Sequence, residues 1–532
     1  MIRRDRKIFC KDDAFALLWL LIVFLITVKS ITTKNGVFSF WAYGDAQVLN
    51  AGISFARTGF IENHFLPLIN PGPTHSLIPN NGPNGRYFHY PALHAILIGL
   101  VVKLIDLLRG NSGTSPETIK NYSQQLFSII SLISLYLNYY WLKVFVKPKI
   151  ALVGMITLTI SGFYPKFGIS LCDQPMHYLF LSLTLIGVTK ILLMPTSEFL
   201  HKRSQNILVA IVVFLSARNS IETPIILFVV ISTCIVAHRV GSYKSSILWI
   251  VKYVVSPICS AISIQIFQSY LEFSNLNSFA AHWTNLASTR FSIKDLGSRR
   301  LILDFFEYVN PLTLGSLLVL TLWLIKTSRL SHSKKSGQIG RLIIISLVFS
   351  LMALVAVLPQ QMLLMHHYST YYFTHVLIIG VVVTLGTINK MPRLSSFILI
   401  AFLLANIFFL TEREKSEHFL SIHSVFNEPT KNGWWASSPS SWVQISALGY
   451  LVISEFSKTM STTDLGVLTI EFAGNSFGEA NPILEFYSQK HFVTRSSTEI
   501  SACHEIRGRV SKLSRIFYYD SQLKFLRFEY CE

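Results

Sequence analysis

Ala14–Ile31 reads AFALLWLLIVFLITVKSI, and ten residues later Trp41–Asp45 reads WAYGD. The first stretch is about eighteen mostly apolar residues, the length that crosses a bilayer core. It follows Arg3, Arg4, Arg6, Lys7 and Lys11 and ends without a small-residue cleavage site, so it reads as an uncleaved anchor with a cytoplasmic N-terminus. Behind it comes a long polar stretch, rich in Gly, Pro and aromatic residues, that ends in Phe88-His89-Tyr90-Pro91. This pairing of one span with a long loop carrying an acid at its start sets the fold reading.

Composition agrees with it. The 532 residues are 51% hydrophobic and 14% charged, well below the charge density of a soluble domain. Apolar runs recur as far as residue 410, which implies a mainly α, polytopic helical membrane protein. The net charge of +18 does not point to nucleic acid, because much of the Lys and Arg lies in short loops beside the spans, as the positive-inside rule expects. Six cysteines are too few for a disulfide framework, although Cys503 and Cys531 could pair if the tail is exported.

Charge sets the expected topology. Eleven spans are read: Ala14–Ile31, Leu126–Val146, Ile150–Phe167, Met176–Leu193, Ile207–Ile221, Ile225–Ala237, Leu248–Phe267, Leu312–Ile325, Leu342–Leu358, Tyr371–Leu385 and Leu394–Leu410. Ala92–Leu108 contains His94, Lys103 and Asp106 and is placed in the membrane interface, since only then do all the basic loops fall on the cytoplasmic side. The spans Ile207–Ile221 and Ile225–Ala237 are short and read as broken or re-entrant. Residues 1–410 form the membrane module, with a first outer loop over 32–120. Residues 411–532 form a small exported α/β domain, with strands at Leu465–Phe472 and Leu523–Tyr530 and a helix at Pro482–Lys490.

Four groups could carry chemistry. Asp45 precedes an expected helix, Ala46–Thr58; its carboxylate suits a general base and equally suits a helix N-cap. Asp173 opens a span beside Pro175; it either faces a polar cavity or is a solvated turn residue. Arg218, near the end of an apolar run, suits a lipid phosphate or pyrophosphate through its forked donors, or snorkels to ordinary head groups. His366, His367 and Tyr368 suit hydrogen bonds to sugar or phosphate, or an interfacial belt. Adjacent histidines rarely point the same way, so no metal is expected.

The order of these elements resembles the GT-C membrane glycosyltransferases, in particular the branch of protein O-mannosyltransferases and lipid A aminoarabinose transferase. The resemblance rests on the basic N-terminus, one span, the Gly44-Asp45 loop, Arg57-Thr58-Gly59-Phe60, and Tyr87-Phe88-His89-Tyr90-Pro91 before a juxtamembrane segment. It implies that Asp45 is the essential acid of the first outer loop and Asp173 the second acid. It also implies that Phe214–Arg218 is the small-residue run closed by a basic residue, and His366-His367-Tyr368 the late His-Tyr element. His89 and Tyr90 join the substrate-binding set on the same ground. Departures are Ala46 where many members carry Glu, and a single Pro91 where two are common.

By this resemblance the expected reaction is an inverting sugar transfer from a polyprenyl-phosphate donor to a lipid, glycan or protein acceptor. It would take place at the outer face of a membrane, expected to be the bacterial inner membrane, with no cofactor. A transporter or flippase for lipid-linked sugars is one rival; it would carry paired repeats and mid-span charges. A polymerase or ligase for lipid-linked glycans is another, and would place its largest outer loop late in the chain.

Overall fold

The computed structural model describes residues 11–33, 42–67, 91–109, 114–160, 164, 168–194, 203–237, 243–273, 275–291, 311–328, 335–357, 369–387, 401, 460, 464–469, 491–495, 515–519 and 525–530. The helices are α1 (Lys11–Thr33), α2 (Ala42–Thr58), α3 (Leu93–Arg109), α4 (Pro116–Leu142), α5 (Pro148–Ile160), α6 (Gln174–Leu193) and α7 (Arg203–Ala217). They continue with α8 (Glu222–Ala237), α9 (Tyr243–Tyr270), α10 (Leu276–Phe291), α11 (Pro311–Ser328), α12 (Lys335–Val357) and α13 (Ser369–Thr387). The protein is a helical membrane protein. Among the described residues, four helices are long and apolar enough to cross a bilayer by length and composition: Lys11–Thr32, Gln174–Leu193, Tyr243–Tyr270 and Gly337–Leu354.

That is fewer than the eleven spans expected. Pro148–Ile160, Arg203–Ala217, Glu222–Ala237, Gly315–Leu324 and His375–Thr384 are apolar but shorter. The run read as Leu126–Val146 is the second half of α4, whose first half is polar. Ser115 caps α4 by accepting from the Thr118 N–H at 3.3 Å, and Pro116 opens it. Leu394–Leu410 lies outside the described residues except for Ala401.

The helix contacts combine polar and apolar side chains. In α4 the buried face mixes Ser123, Gln124, Ser128, Ser131, Ser134 and Asn138 with Phe127, Leu135 and Trp141, while Ile129, Ile133 and Tyr140 are exposed. Polar glue between helices and apolar surface outside is the membrane pattern. Asn138 donates to the Ser182 hydroxyl at 2.8 Å and Trp141 Nε1 to Thr189 Oγ1 at 2.7 Å, fastening α4 to α6.

The direction of the helices can be followed from side-chain ties. At the start of α1, Asp13 accepts from Tyr139 Oη at 2.8 Å and pairs with Lys143, both at the C-terminal end of α4. Near the end of α1, Thr27 meets Tyr164 at 3.2 Å, and Tyr164 meets Ser128 at 3.0 Å. The end of α1 and the first half of α4 thus share one end of the bundle, opposite Asp13.

Helix α3 leaves and returns to this same end. The Leu93 N–H donates to the Arg218 carbonyl at 3.2 Å, and after Asp106 accepts from Thr114 at 2.8 Å the chain enters α4 there. It therefore lies along the bundle end without crossing. Its partner is α2, and the two meet at glycines: a Cβ on Gly52 would come within 2.4 Å of Ile98 Cγ2, and one on Gly99 within 2.9 Å of Phe55 Cβ.

In the C-terminal segment four short strands form one sheet: β1 (Leu465–Thr469), β2 (His491–Arg495), β3 (Arg515–Tyr519) and β4 (Phe525–Tyr530), ordered β2-β1-β3-β4. The pairings of β1 with β2 and β3 are parallel, and that of β3 with β4 is antiparallel. Strands β1 and β4 fall where alternation places them; β2 and β3 are additional. The helix expected at Pro482–Lys490 and the Cys503–Cys531 pair lie outside the described residues.

Candidate functional site

Asp45 does not precede its helix. Helix α2 begins at Ala42, four residues earlier than the apolar pattern suggests, so Asp45 stands in its first turn, fully buried. The N-cap reading is therefore overturned. Its carboxylate reaches a distant segment instead: Oδ1 accepts the Leu171 N–H at 2.8 Å and the Ser170 hydroxyl at 3.1 Å. Ser170 is shared with Gln174 Oε1 at 3.2 Å, and Ser131 of α4 holds Gly168 O at 3.1 Å. The acid thus pins the loop that leads into α6.

That loop delivers Asp173 to the N-cap position of α6, where its side chain makes no capping bond. The Asp173 carbonyl is held by Asn219 Nδ2 at 3.0 Å. Its carboxyl group is pushed well above the usual carboxylate range, first by burial and then by the neighbouring Glu222 carboxylate. Cys172, between the two acids, is pushed up by burial and then by Asp45 and Asp173. It is a neutral thiol and no nucleophile.

Two cations lie at this end. Lys120 is fully buried and pairs with Glu117 at 2.6 Å. Burial lowers its pKa, while Glu117 and, more weakly, Asp45 oppose the shift. Arg218 closes α7 and is largely buried; Nη1 donates to Gln265 Oε1 at 2.7 Å and Nη2 to Gln268 Oε1 at 2.8 Å. Both side-chain partners are neutral amides from α9, which fix the guanidinium plane without cancelling its charge.

The helix N-termini complete the picture. Helices α2, α3, α4, α6 and α8 all begin at this end, within the hydrogen-bond network that joins Asp45, Leu171, Asp173, Asn219, Arg218 and Leu93. Their dipoles favour anions. The end therefore combines general-base candidates, a fixed guanidinium and convergent positive helix ends. Among the described residues no group of three or more His, Cys, Asp or Glu could hold a metal ion.

Of the residues expected from sequence, Asp45, Asp173 and Arg218 come together here. His89, Tyr90, His366, His367 and Tyr368 lie outside the described residues. Sequence reasoning missed Glu222, Lys120, Glu117 and the Gln265/Gln268 pair. A signal existed for the last: two glutamines three apart in an apolar helix share one face.

No family model matches this chain and no curated protein matches it significantly. Among solved structures, the archaeal oligosaccharyltransferase AglB of Archaeoglobus fulgidus, in complex with an inhibitory peptide and a dolichol-phosphate, is similar over 95% of this chain and 69% of its own. The identity is 12% and the TM-score 0.44.

Proposed function

We propose that the protein is an integral membrane glycosyltransferase that moves a sugar from a polyprenyl-phosphate donor to an acceptor hydroxyl or amine at the bundle end built around Asp45. The observation that supports this reading is the meeting, at one end, of Asp45, Asp173 and the fixed Arg218 guanidinium beneath converging helix N-termini. Acids alone would suit many roles. A guanidinium oriented by neutral amides keeps its charge available for an anion, and the donor's phosphate is one.

In this reaction Asp45 takes the proton from the acceptor as the acceptor oxygen or nitrogen attacks the anomeric carbon. The bond from that carbon to the phosphate oxygen breaks, and the electron pair leaves with the polyprenyl phosphate. Arg218 and the helix ends stabilise the growing charge on the leaving phosphate, where such stabilisation lowers the barrier most. Attack from the face opposite the phosphate inverts the anomeric centre. The Leu171 and Ser170 hydrogen bonds hold the Asp45 carboxylate in one orientation, as a positioned base requires.

The test is transfer by the purified full chain in lipid nanodiscs, supplied with radiolabelled polyprenyl-phosphate sugars and envelope glycolipid or peptide acceptors. Release of polyprenyl phosphate coupled to product labelling is expected. A folded protein that leaves every such donor intact rejects the proposal.

A further inference from the structure

We propose that His177, Tyr372 and His375 form a recognition subsite for the hydroxyl groups of a sugar ring, one helical turn along α6 from Asp173. This rests on the donor reading above and names which part of the donor is held where.

The three side chains are 0%, 2% and 3% exposed. Among the described residues, His177 Nε2, Tyr372 Oη and His375 Nε2 have no hydrogen-bond partner. Buried polar atoms are nearly always paired, and each unpaired one destabilises the fold. Three that gather between α6 and α13 therefore call for a ligand. The other nitrogen of His177 is fixed: Nδ1 meets Thr223 Oγ1 at 2.5 Å, which sets the ring's direction. His177 stacks on Tyr372 with centroids 3.9 Å apart and 26° between planes, and His375 meets Tyr178 edge-on at 4.7 Å.

The chemistry selects the ligand class. Tyr372 lies within electrostatic reach of the Glu222 carboxylate, so this corner disfavours a phosphate and leaves that group to Arg218. Imidazole nitrogens and a phenol can each give or take a hydrogen bond, which matches hydroxyls in a fixed ring. The aromatic faces beside them suit the apolar face of a pyranose. Helices α6 and α13 meet here through ring contacts, so a sugar that parts the rings gives up stacking and supplies hydrogen bonds to three atoms that lack them.

The experiment compares binding of farnesyl phosphate with binding of its mannose, glucose and galactose esters to the full-length protein, in wild type, Tyr372→Phe and His375→Phe. The wild type is expected to bind one ester more tightly than farnesyl phosphate. Each variant is expected to lose on the order of tenfold for that ester and to bind farnesyl phosphate unchanged. Melting temperature should hold or rise, since each change removes an unpaired polar atom without a new void. Equal affinity of all esters and the bare lipid in wild type overturns the subsite, as does a variant that loses both ligands alike or neither. A wild type that binds no phosphorylated lipid at all overturns the donor reading itself. The two variants are independent, so one that fails to fold leaves the other to decide.

Discussion

The Leu171 backbone N–H donates to Asp45 Oδ1 at 2.8 Å across 126 residues of chain. One hydrogen bond joins the first acid to the loop that presents the second, so the two acids share a frame. Any substitution at Asp45 must be judged against this structural duty as well as against chemistry.

Asp45→Asn retains a carbonyl oxygen for Leu171 and Ser170 but cannot accept a proton. The melting temperature should stay near wild type, while the transfer rate falls by on the order of 10²–10⁴. Asp45→Ala also leaves the Leu171 amide buried without its acceptor, costing about 1–3 kcal/mol. Thermal melts beside transfer assays separate the two effects. Near-normal transfer by a stable Asp45→Asn protein would remove the base.

Asp173 has a pH signature. Its folded pKa is raised by burial and by Glu222, so the folded state holds a proton that the unfolded chain releases. Stability contributed by this group is present below the ordinary carboxylate pKa and falls as pH rises toward the folded value. Asp173→Asn abolishes that titration. The variant should therefore be more stable than wild type at neutral pH, with the difference shrinking toward pH 4. Melting curves across pH 4–8 check it, and a gap independent of pH refutes it.

Arg218→Lys keeps the charge and loses the fork that meets Gln265 and Gln268. Affinity for polyprenyl phosphate should drop on the order of tenfold, and a salt titration should still show an electrostatic component. Unchanged affinity would mean that the phosphate sits elsewhere.

Lys120 and Glu117 are a buried ion pair beside Asp45. Lys120→Met alone should destabilise by about 3–5 kcal/mol, since it leaves Glu117 buried without its cation. The double change Lys120→Met with Glu117→Leu should recover most of that loss. Denaturation of both variants in one detergent gives the comparison. Equal losses would show that the destabilisation does not come from the Glu117 carboxylate.

Much of this was legible in the sequence. The helical membrane class follows from composition, and the non-crossing α3 follows from the side on which the basic loops of the rest of the chain must fall. Asp45, Asp173 and Arg218 stand out because ionisable groups at the edges of apolar runs need a polar reason. The features that sequence obscured are local and long-range. The start of α2 is hard to read because Trp41 ahead of it is no capping residue and Gly44 in its first turn disfavours a helix. Span lengths were hard to read because hydropathy cannot tell an apolar helix buried in protein from one in lipid. Lys120 and Glu117 escaped notice because the need that pairs them with Asp45 arises only when α2 and α4 meet. The strands β2 and β3 are five residues each, too short for alternation to separate them from loop.

Between Val251 and Val255 helix α9 takes a π-helical turn, after which α-geometry resumes at Ser256-Pro257 and runs to Gln265 and Gln268. Such a turn accommodates one residue more than an α-helix needs, and each residue of an α-helix rotates the remainder of the helix by about 100°. The orientation of the two glutamines toward Arg218 is therefore set by a count, not by their own identity. Loss of a single codon within 251–255 would let α9 wind regularly and leave both amides facing the guanidinium, because the π turn already absorbs the residue that is lost. The same deletion between 258 and 264 would swing both amides about 100° away and uncouple the binding end with every one of its side chains still present.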